Sequence, residues 1–208
     1  MDWAGSGAVM SLIIGNQDVP RFASVSAGDA YGDTWTPAPQ SQDPLVYRKQ
    51  QLALGIVFAL PGAPTVYYGD EVALAGGGDP DSRRVMPADS DLSPLQVATR
   101  SVVQRLGTAR SCSGALRRGS YRTLHAGDED LVFAREAQGV ESVVVVAERN
   151  PARALDIPLA GIAPGDYVDL VGGRHIEVAA GSTKLPLAPY SVALFVPAGS
   201  SCATLVTP

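Results

Sequence analysis

Three polar residues, Asn16, Gln17 and Asp18, follow at once on the apolar run Leu12-Ile13-Ile14 and the break at Gly15. Two side-chain amides can donate and accept hydrogen bonds, and a carboxylate can stabilise developing positive charge or exchange a proton. About fifty residues later the pattern recurs. Pro64-Thr65-Val66-Tyr67-Tyr68 opens into Gly69-Asp70-Glu71, again a strand-like run handing over to acid groups. Strand ends that pass into polar loops are where α/β barrels keep their chemistry.

Asp18 and Glu71, each after such a run, are the two carboxylates that could share one face of a sheet. Arg21 could brace the first loop or touch a ligand, and bracing is the commoner role. Asp79 and Arg83 could reach a substrate, although an ion pair inside their own loop is the commoner reason for an Asp and an Arg four apart. Trp35, in a long polar loop, is the best stacking aromatic, ahead of Trp3. Tyr67 and Tyr68 are expected to pack. Gly76-Gly77-Gly78 is no phosphate cradle, because no Lys-Ser/Thr follows and no helix opens from it.

These residues need a scaffold. Residues 8–14 read as a short buried strand. A long loop rich in Gly, Pro, Ser and Asp follows through Gln42. Asp43 then caps a helix with Pro44 in its first turn, running to about Leu60 and stopped by Pro61-Gly62. Thr65 to Tyr68 reads as a second strand. After a second loop, Ser93-Pro94-Leu95-Gln96 is a capping box, and Leu95, Ala98, Val102 and Leu106 follow at helical spacing. Strand, loop, helix, strand, loop, helix predicts a parallel sheet.

After about Cys112 the character changes. Short β-rich runs are spaced by Gly127-Asp128, Pro164-Gly165-Asp166 and Gly172-Gly173. They cover 121–125, 131–135, 142–147, 154–157, 167–170, 175–178 and 191–196, the spacing of an antiparallel sandwich. Its aromatics Tyr121, Phe133, Tyr167, Tyr190 and Phe195 form no row and are expected in the core.

The net charge of −5 over 208 residues, spread along the chain, offers no basic face for nucleic acid. No apolar run is long enough to span a membrane, and no signal-peptide pattern opens the chain, so it is expected to be soluble, with its localisation open. No Cys or His spacing suggests a metal site. Cys112 and Cys202 either pair, if the protein is exported, or remain two thiols.

Asn16 to Phe22, Leu60 to Glu71, and Gly77 to Pro87 resemble, in order and spacing, the end of the catalytic barrel of the α-amylase family, glycoside hydrolase family 13. The all-β remainder is similar to that family's C-terminal Greek-key domain. The resemblance implies a partial (β/α)8 TIM barrel, its last two βα units, at residues 1–110, and an antiparallel Greek-key sandwich at 111–208. It implies a retaining hydrolase or transglycosylase on α-glucans or maltooligosaccharides. Asp18 corresponds to the carboxylate that stabilises the transition state, with Asn16, Gln17, Arg21, Asp79 and Arg83 as substrate-binding residues. No cofactor is implied for this chain, and calcium only for a full-length parent.

Three departures stand out. Gln17 occupies the place of a histidine, Ala88 that of a common tryptophan, and the family's nucleophile and acid/base would lie before residue 1. A complete barrel has eight βα units. The chain is therefore expected to be a fragment or truncated form, inactive alone and prone to self-association. The alternatives are a non-catalytic carbohydrate-binding or interaction module, and a half-enzyme that completes a barrel with an upstream fragment.

Overall fold

A computed structural model describes residues 8–29, 36–150, 154–180, 182–186 and 188–206. Trp3 and Trp35 lie outside them. Two layers of different construction share one core.

The first layer is parallel and helical. Strands β1 (Ser11–Leu12) and β2 (Ala63–Pro64) pair in parallel. Hydrogen bonds from Ala63 N to Met10 O (2.8 Å) and from Thr65 N to Leu12 O (2.9 Å) extend the pairing at both ends. Both strands are shorter than expected, and the second sits earlier than Thr65–Tyr68. Pro61 and Pro64 limit the ladder's donors, and Tyr67-Tyr68 already turns into a 3-10 helix at Asp70–Val72. The expected parallel pair and its helices are thus present, and among the described residues the parallel sheet holds these two strands only.

Helix α1 (Phe22–Ala27) falls within the stretch read as loop. No side-chain cap or acidic first turn marks its start, and Gly28, in the left-handed conformation at φ 87°, ends it. Helix α2 (Pro44–Ala59) starts where expected, with the Asp43 carboxylate accepting from Leu45 N at 2.9 Å. It stops before Pro61, which disfavours helical geometry in the residue ahead of it. Helix α3 (Pro94–Cys112) carries the full capping box between Ser93 and Gln96.

The buried face of α3 runs through Gln96, Thr99, Val103, Leu106 and Arg110, whereas Ala98 of the expected stripe is exposed. Polar groups turn inward because each finds a partner. The Thr99 hydroxyl accepts from Gln51 Nε2 (2.9 Å), and Arg110 donates to the carbonyls of Phe58 (2.6 Å), Leu60 (3.1 Å) and Gly62.

A short helix α4 (Gly114–Arg118) leads into the antiparallel part. Strands β3 (Ser120–Ala126), β4 (Asp130–Glu136), β5 (Val143–Glu148), β7 (Gly165–Asp169), β8 (His175–Val178) and β10 (Ser191–Pro197) form one sheet in the order β3-β4-β5-β10-β7-β8. Strands β6 (Ala154–Pro158) and β9 (Ser182–Pro186) make a separate antiparallel pair. β9 lay between the expected runs and was not among them.

Side chains alternate across the sheet. Phe133, Val145, Val192 and Leu194 face Leu54, Leu106 and Leu116 of the helices. Val132, Ala134, Val144, Val146 and Phe195 pack on the other face with Leu159 and Tyr167. Central β5 is buried along its whole length, which explains its unbroken Val143–Val146 run. Tyr121 and Tyr190 depart from the expected core, being 38% exposed and half-buried respectively.

Three contacts lock the layers together. Gly55 lets α2 lie against Val192 of β10, where a Cβ would stand 2.2 Å from Cγ1. Arg135, fully buried, donates to the carbonyls of Ala59, Gly119 and Ser120. Burial, with the Arg110 charge nearby, lowers its pKa to about 10. Cys112 and Cys202 are joined in a disulfide, their Cα atoms 5.9 Å apart, which decides between the two readings of the cysteines.

Candidate functional site

Because β1 and β2 are parallel, the segments that follow them emerge at the same end of the layer. Asn16, Gln17 and Asp18 form a turn after β1. The Asn16 side chain accepts from Asp18 N (2.8 Å), which closes a local Asx-type ring, and Gln17 Nε2 donates to Asp18 Oδ2 (2.9 Å).

The loop after β2 comes back to hold this turn. Ser82 is fully buried, and its hydroxyl donates to Gln17 O (2.8 Å); Arg83 Nε donates to the same oxygen (3.2 Å). Arg83 Nη2 then stands 3.5 Å from Asp18 Oδ1 and 3.1 Å from Asp79 Oδ1. One guanidinium thus bridges two carboxylates that are 65% and 52% exposed. The Asp79–Arg83 ion pair is the loop-internal contact that their spacing suggested.

The loop has its own anchor one residue earlier. Asp81 accepts from Gly77 N (2.7 Å), Ala38 N (3.0 Å) and Arg84 (2.7 and 2.6 Å). Burial alone would raise the Asp81 carboxyl, but Arg84 and the two backbone N–H groups win and hold it at about 2. The peptide bond between Asp79 and Pro80 is cis.

Beneath the turn lies a buried polar floor. Arg21, expected either to brace the first loop or to touch a ligand, is 1% exposed, which favours bracing. It donates to Tyr68 O (2.7 Å), stands 3.5 Å from Asp70 Oδ1, and lies over both the Tyr67 and Tyr68 rings, 4.6 and 4.9 Å from their centroids. It braces the strand ends. Gln50 of α2 donates to Asp70 O (2.9 Å). Burial pushes the Asp70 carboxyl up to about 6; Arg21 opposes the rise and Glu71 adds to it. Glu71 Oε2 is itself buried without a hydrogen-bond partner.

Of the six expected site residues, five therefore gather at the solvent-facing turn: Asn16, Gln17, Asp18, Asp79 and Arg83. The sixth, Arg21, lies below them. Ser82, Asp81 and Arg84 were missed, since nothing in an Asp-Ser-Arg-Arg string marks which member points inward. The exposed cluster can exchange hydrogen bonds with several hydroxyls and place a carboxylate against positive charge. Among the described residues, no three His, Cys, Asp or Glu side chains gather to hold a metal ion.

A parallel βα layer that bears the polar cluster, followed by an antiparallel β domain, is the class of architecture this chain presents. Residues 121–196 match the family described as Neopullulanase-like, C-terminal domain. The chain is 30% identical over 186 residues to a cyclomaltodextrinase of Geobacillus thermopakistaniensis, with 88% of this chain and 28% of that protein covered. It is 28% identical over 192 residues to a cyclomaltodextrin glucanotransferase of Klebsiella oxytoca, with 85% and 28% covered. Its fold superposes on the α-amylase of Geobacillus thermoleovorans, solved with acarbose, with a TM-score of 0.72 at 22% identity, covering 90% of this chain and 38% of that one. The chain belongs to the α-amylase family, glycoside hydrolase family 13, and corresponds to a C-terminal part of it. It spans less than a third of the length of these two curated relatives.

Proposed function

We propose that residues 1–110 supply the last two βα units of a (β/α)8 catalytic barrel and residues 111–208 its Greek-key C-terminal domain. The enzyme so formed is a retaining glycoside hydrolase or transglycosylase acting on α-glucans. The observation that carries this reading is the clamped turn, in which Arg83 and Ser82 of one strand-end loop fix Gln17 and Asp18 of the other. Relatives called cyclomaltodextrinase and cyclomaltodextrin glucanotransferase support the substrate class.

In this reading Asp18 stabilises charge rather than attacking. Glycoside cleavage passes through an oxocarbenium-like state, and retaining enzymes need a nucleophile and an acid/base roughly 5–5.5 Å apart. Asp18 has Gln17 on one carboxylate oxygen and Arg83 near the other, which suits an oriented acceptor of sugar hydroxyls. Hydrogen bonds from such a group that strengthen as the ring distorts lower the barrier. Gln17 offers an amide where the family keeps histidine, so it can orient a hydroxyl but adds no titrating charge. In this reading the nucleophile and acid/base come from a preceding part of the barrel, and the 208 residues alone are expected to leave maltodextrin intact.

The half-enzyme reading draws on one further observation. Val9, Met10 and Ile13 are 71%, 62% and 48% exposed around β1, and β1 pairs only with β2 among the described residues. A free strand edge bordered by apolar side chains invites another strand. Maltodextrin assays of the chain alone, and mixed with the upstream part of a cyclomaltodextrinase, test both readings. The expected result is no turnover alone, turnover on mixing, and its loss with Asp18→Asn. Turnover by the chain alone would overturn the dependence on upstream residues.

A further inference from the structure

A cavity of about 160 Å³ opens where the end of α3, helix α4, the turn between β4 and β5, and the end of β10 meet. All its lining residues fall within 112–202, so no preceding barrel unit is needed to form it. Both Cys112 and Cys202 line it. Arg117 and Arg118 of α4, both exposed, stand on the wall beside them, against the single carboxylate of Glu141. Arg117 Nε donates only to Ser113 O (3.4 Å), and among the described residues neither arginine stands in an ion pair.

The two halves of the bridge differ in access. Cys202 is 6% exposed, whereas Cys112, the last residue of α3, is half-buried. Cys202 sits in the 3-10 turn Ser201–Leu205, whose printed hydrogen bonds are local: Cys202 N donates to Ser200 Oγ and Val206 N to Ala203 O, each at 3.2 Å. The bridge is thus this turn's covalent tie to α3. We propose that the cavity is a thiol–disulfide exchange site, at which a small anionic thiol attacks Cys112 and releases the C-terminal turn from α3.

The arginines choose the class of thiol. Positive charge lining a cavity raises the local concentration of an anion, and the attacking species is itself a thiolate. Its sulfur bonds to Cys112 Sγ as the bond from Cys112 Sγ to Cys202 Sγ breaks. The electron pair leaves on Cys202 Sγ, which takes a proton from water. A second thiolate then displaces Cys112, so two small thiols become one disulfide while the protein's disulfide becomes two thiols. Nothing in this sequence involves the Asp18 cluster or depends on the glucan reading.

Reduction of the folded, purified chain by three thiols of similar size tests the site: 2-mercaptoethanesulfonate, neutral 2-mercaptoethanol and cationic cysteamine. Peptide mapping by mass spectrometry should place the first mixed disulfide on Cys112. Arg117→Ala with Arg118→Ala should slow the sulfonate about threefold or more at low salt, leave 2-mercaptoethanol within about twofold, and speed cysteamine. Each thiol's intrinsic reactivity cancels in the ratio of variant to parent. Glu141→Gln should act in the opposite sense. Equal effects of the arginine variant on all three thiols would overturn the site. So would a first mixed disulfide on Cys202, no reaction of the folded chain, or reduction whose rate follows global unfolding as dilute urea accelerates it.

Discussion

Arg21 and Asp70 form an ion pair in which both side chains are almost wholly buried, 1% and 2% exposed, with Nη1 and Oδ1 3.5 Å apart. The pair is incompletely satisfied, because Arg21 Nε and Nη2 and Asp70 Oδ2 have no protein partner. A pair so buried gains less from attraction than it loses in hydration, which is why the Asp70 pKa rises in spite of the arginine.

The consequence is a pH dependence of stability. Asp70 titrates at about 6 in the folded chain and near its ordinary 3.8 when unfolded. Between those values the folded state holds the extra proton, so stability falls as pH rises from about 4 through 6. At about 1.36 kcal/mol per pH unit, the upper figure is roughly 3 kcal/mol. Urea unfolding between pH 4 and 7 should show this decline, and Asp70→Asn should flatten it. An unchanged slope in the variant would assign the decline to another group.

Asp81 behaves in the opposite sense. Its folded pKa near 2 lies below the ordinary 3.8, so its contribution is complete above about pH 4 and is lost as pH falls toward 2. Asp81→Ala leaves the N–H groups of Ala38 and Gly77 and the Arg84 guanidinium without their acceptor. A loss of about 1–3 kcal/mol at pH 7 is expected in chemical denaturation.

Gly55→Ala sets two effects against each other. Helix propensity favours alanine by about 1 kcal/mol. The new Cβ would stand 2.2 Å from Val192 Cγ1 and 2.8 Å from its Cβ, and overpacking of that kind costs about 1–3 kcal/mol. Net destabilisation is expected, and Gly55→Ala with Val192→Ala should recover part of it. Equal losses in the single and double variants would show that the contact is not the cause.

Reducing the Cys112–Cys202 bridge opens a loop of 90 residues. Chain entropy alone puts its contribution at roughly 4.5 kcal/mol, and measured values commonly lie at about 2–5 kcal/mol. Thermal unfolding with and without dithiothreitol should show the difference, and Cys112→Ser with Cys202→Ser should melt like the reduced chain.

Arg83→Ala separates stability from function. Its ion pairs with Asp18 and Asp79 are half exposed, and exposed pairs contribute about 0–1 kcal/mol. The melting temperature should barely move. Turnover of the chain completed with an upstream fragment should fall, because the Asp18 carboxylate loses its orienting neighbour.

The short-range signals were legible without coordinates. The Asp43-Pro44 start of α2, the Ser93–Gln96 box of α3 and most β runs after Cys112 follow from caps, prolines and alternation, all fixed by neighbours within a few residues. Helix α1 was not legible, since no cap precedes Phe22 and its polar neighbours read as loop. The facing of α3 was missed by one position, because an apolar stripe cannot report that Thr99 and Arg110 find partners 48 to 52 residues away.

Composition and motif order thus determined by themselves the two-part architecture, the family and the string of polar residues from Asn16 to Arg83. Only the tertiary structure decided that Arg21 lies beneath the cluster while Arg83 faces solvent within it, that Ser82 rather than a charged neighbour pins the Gln17 carbonyl, and that Cys112 meets Cys202. Which of several chemically similar side chains turns inward depends on partners distant in sequence. Desolvation makes that choice only once the chain has closed around them.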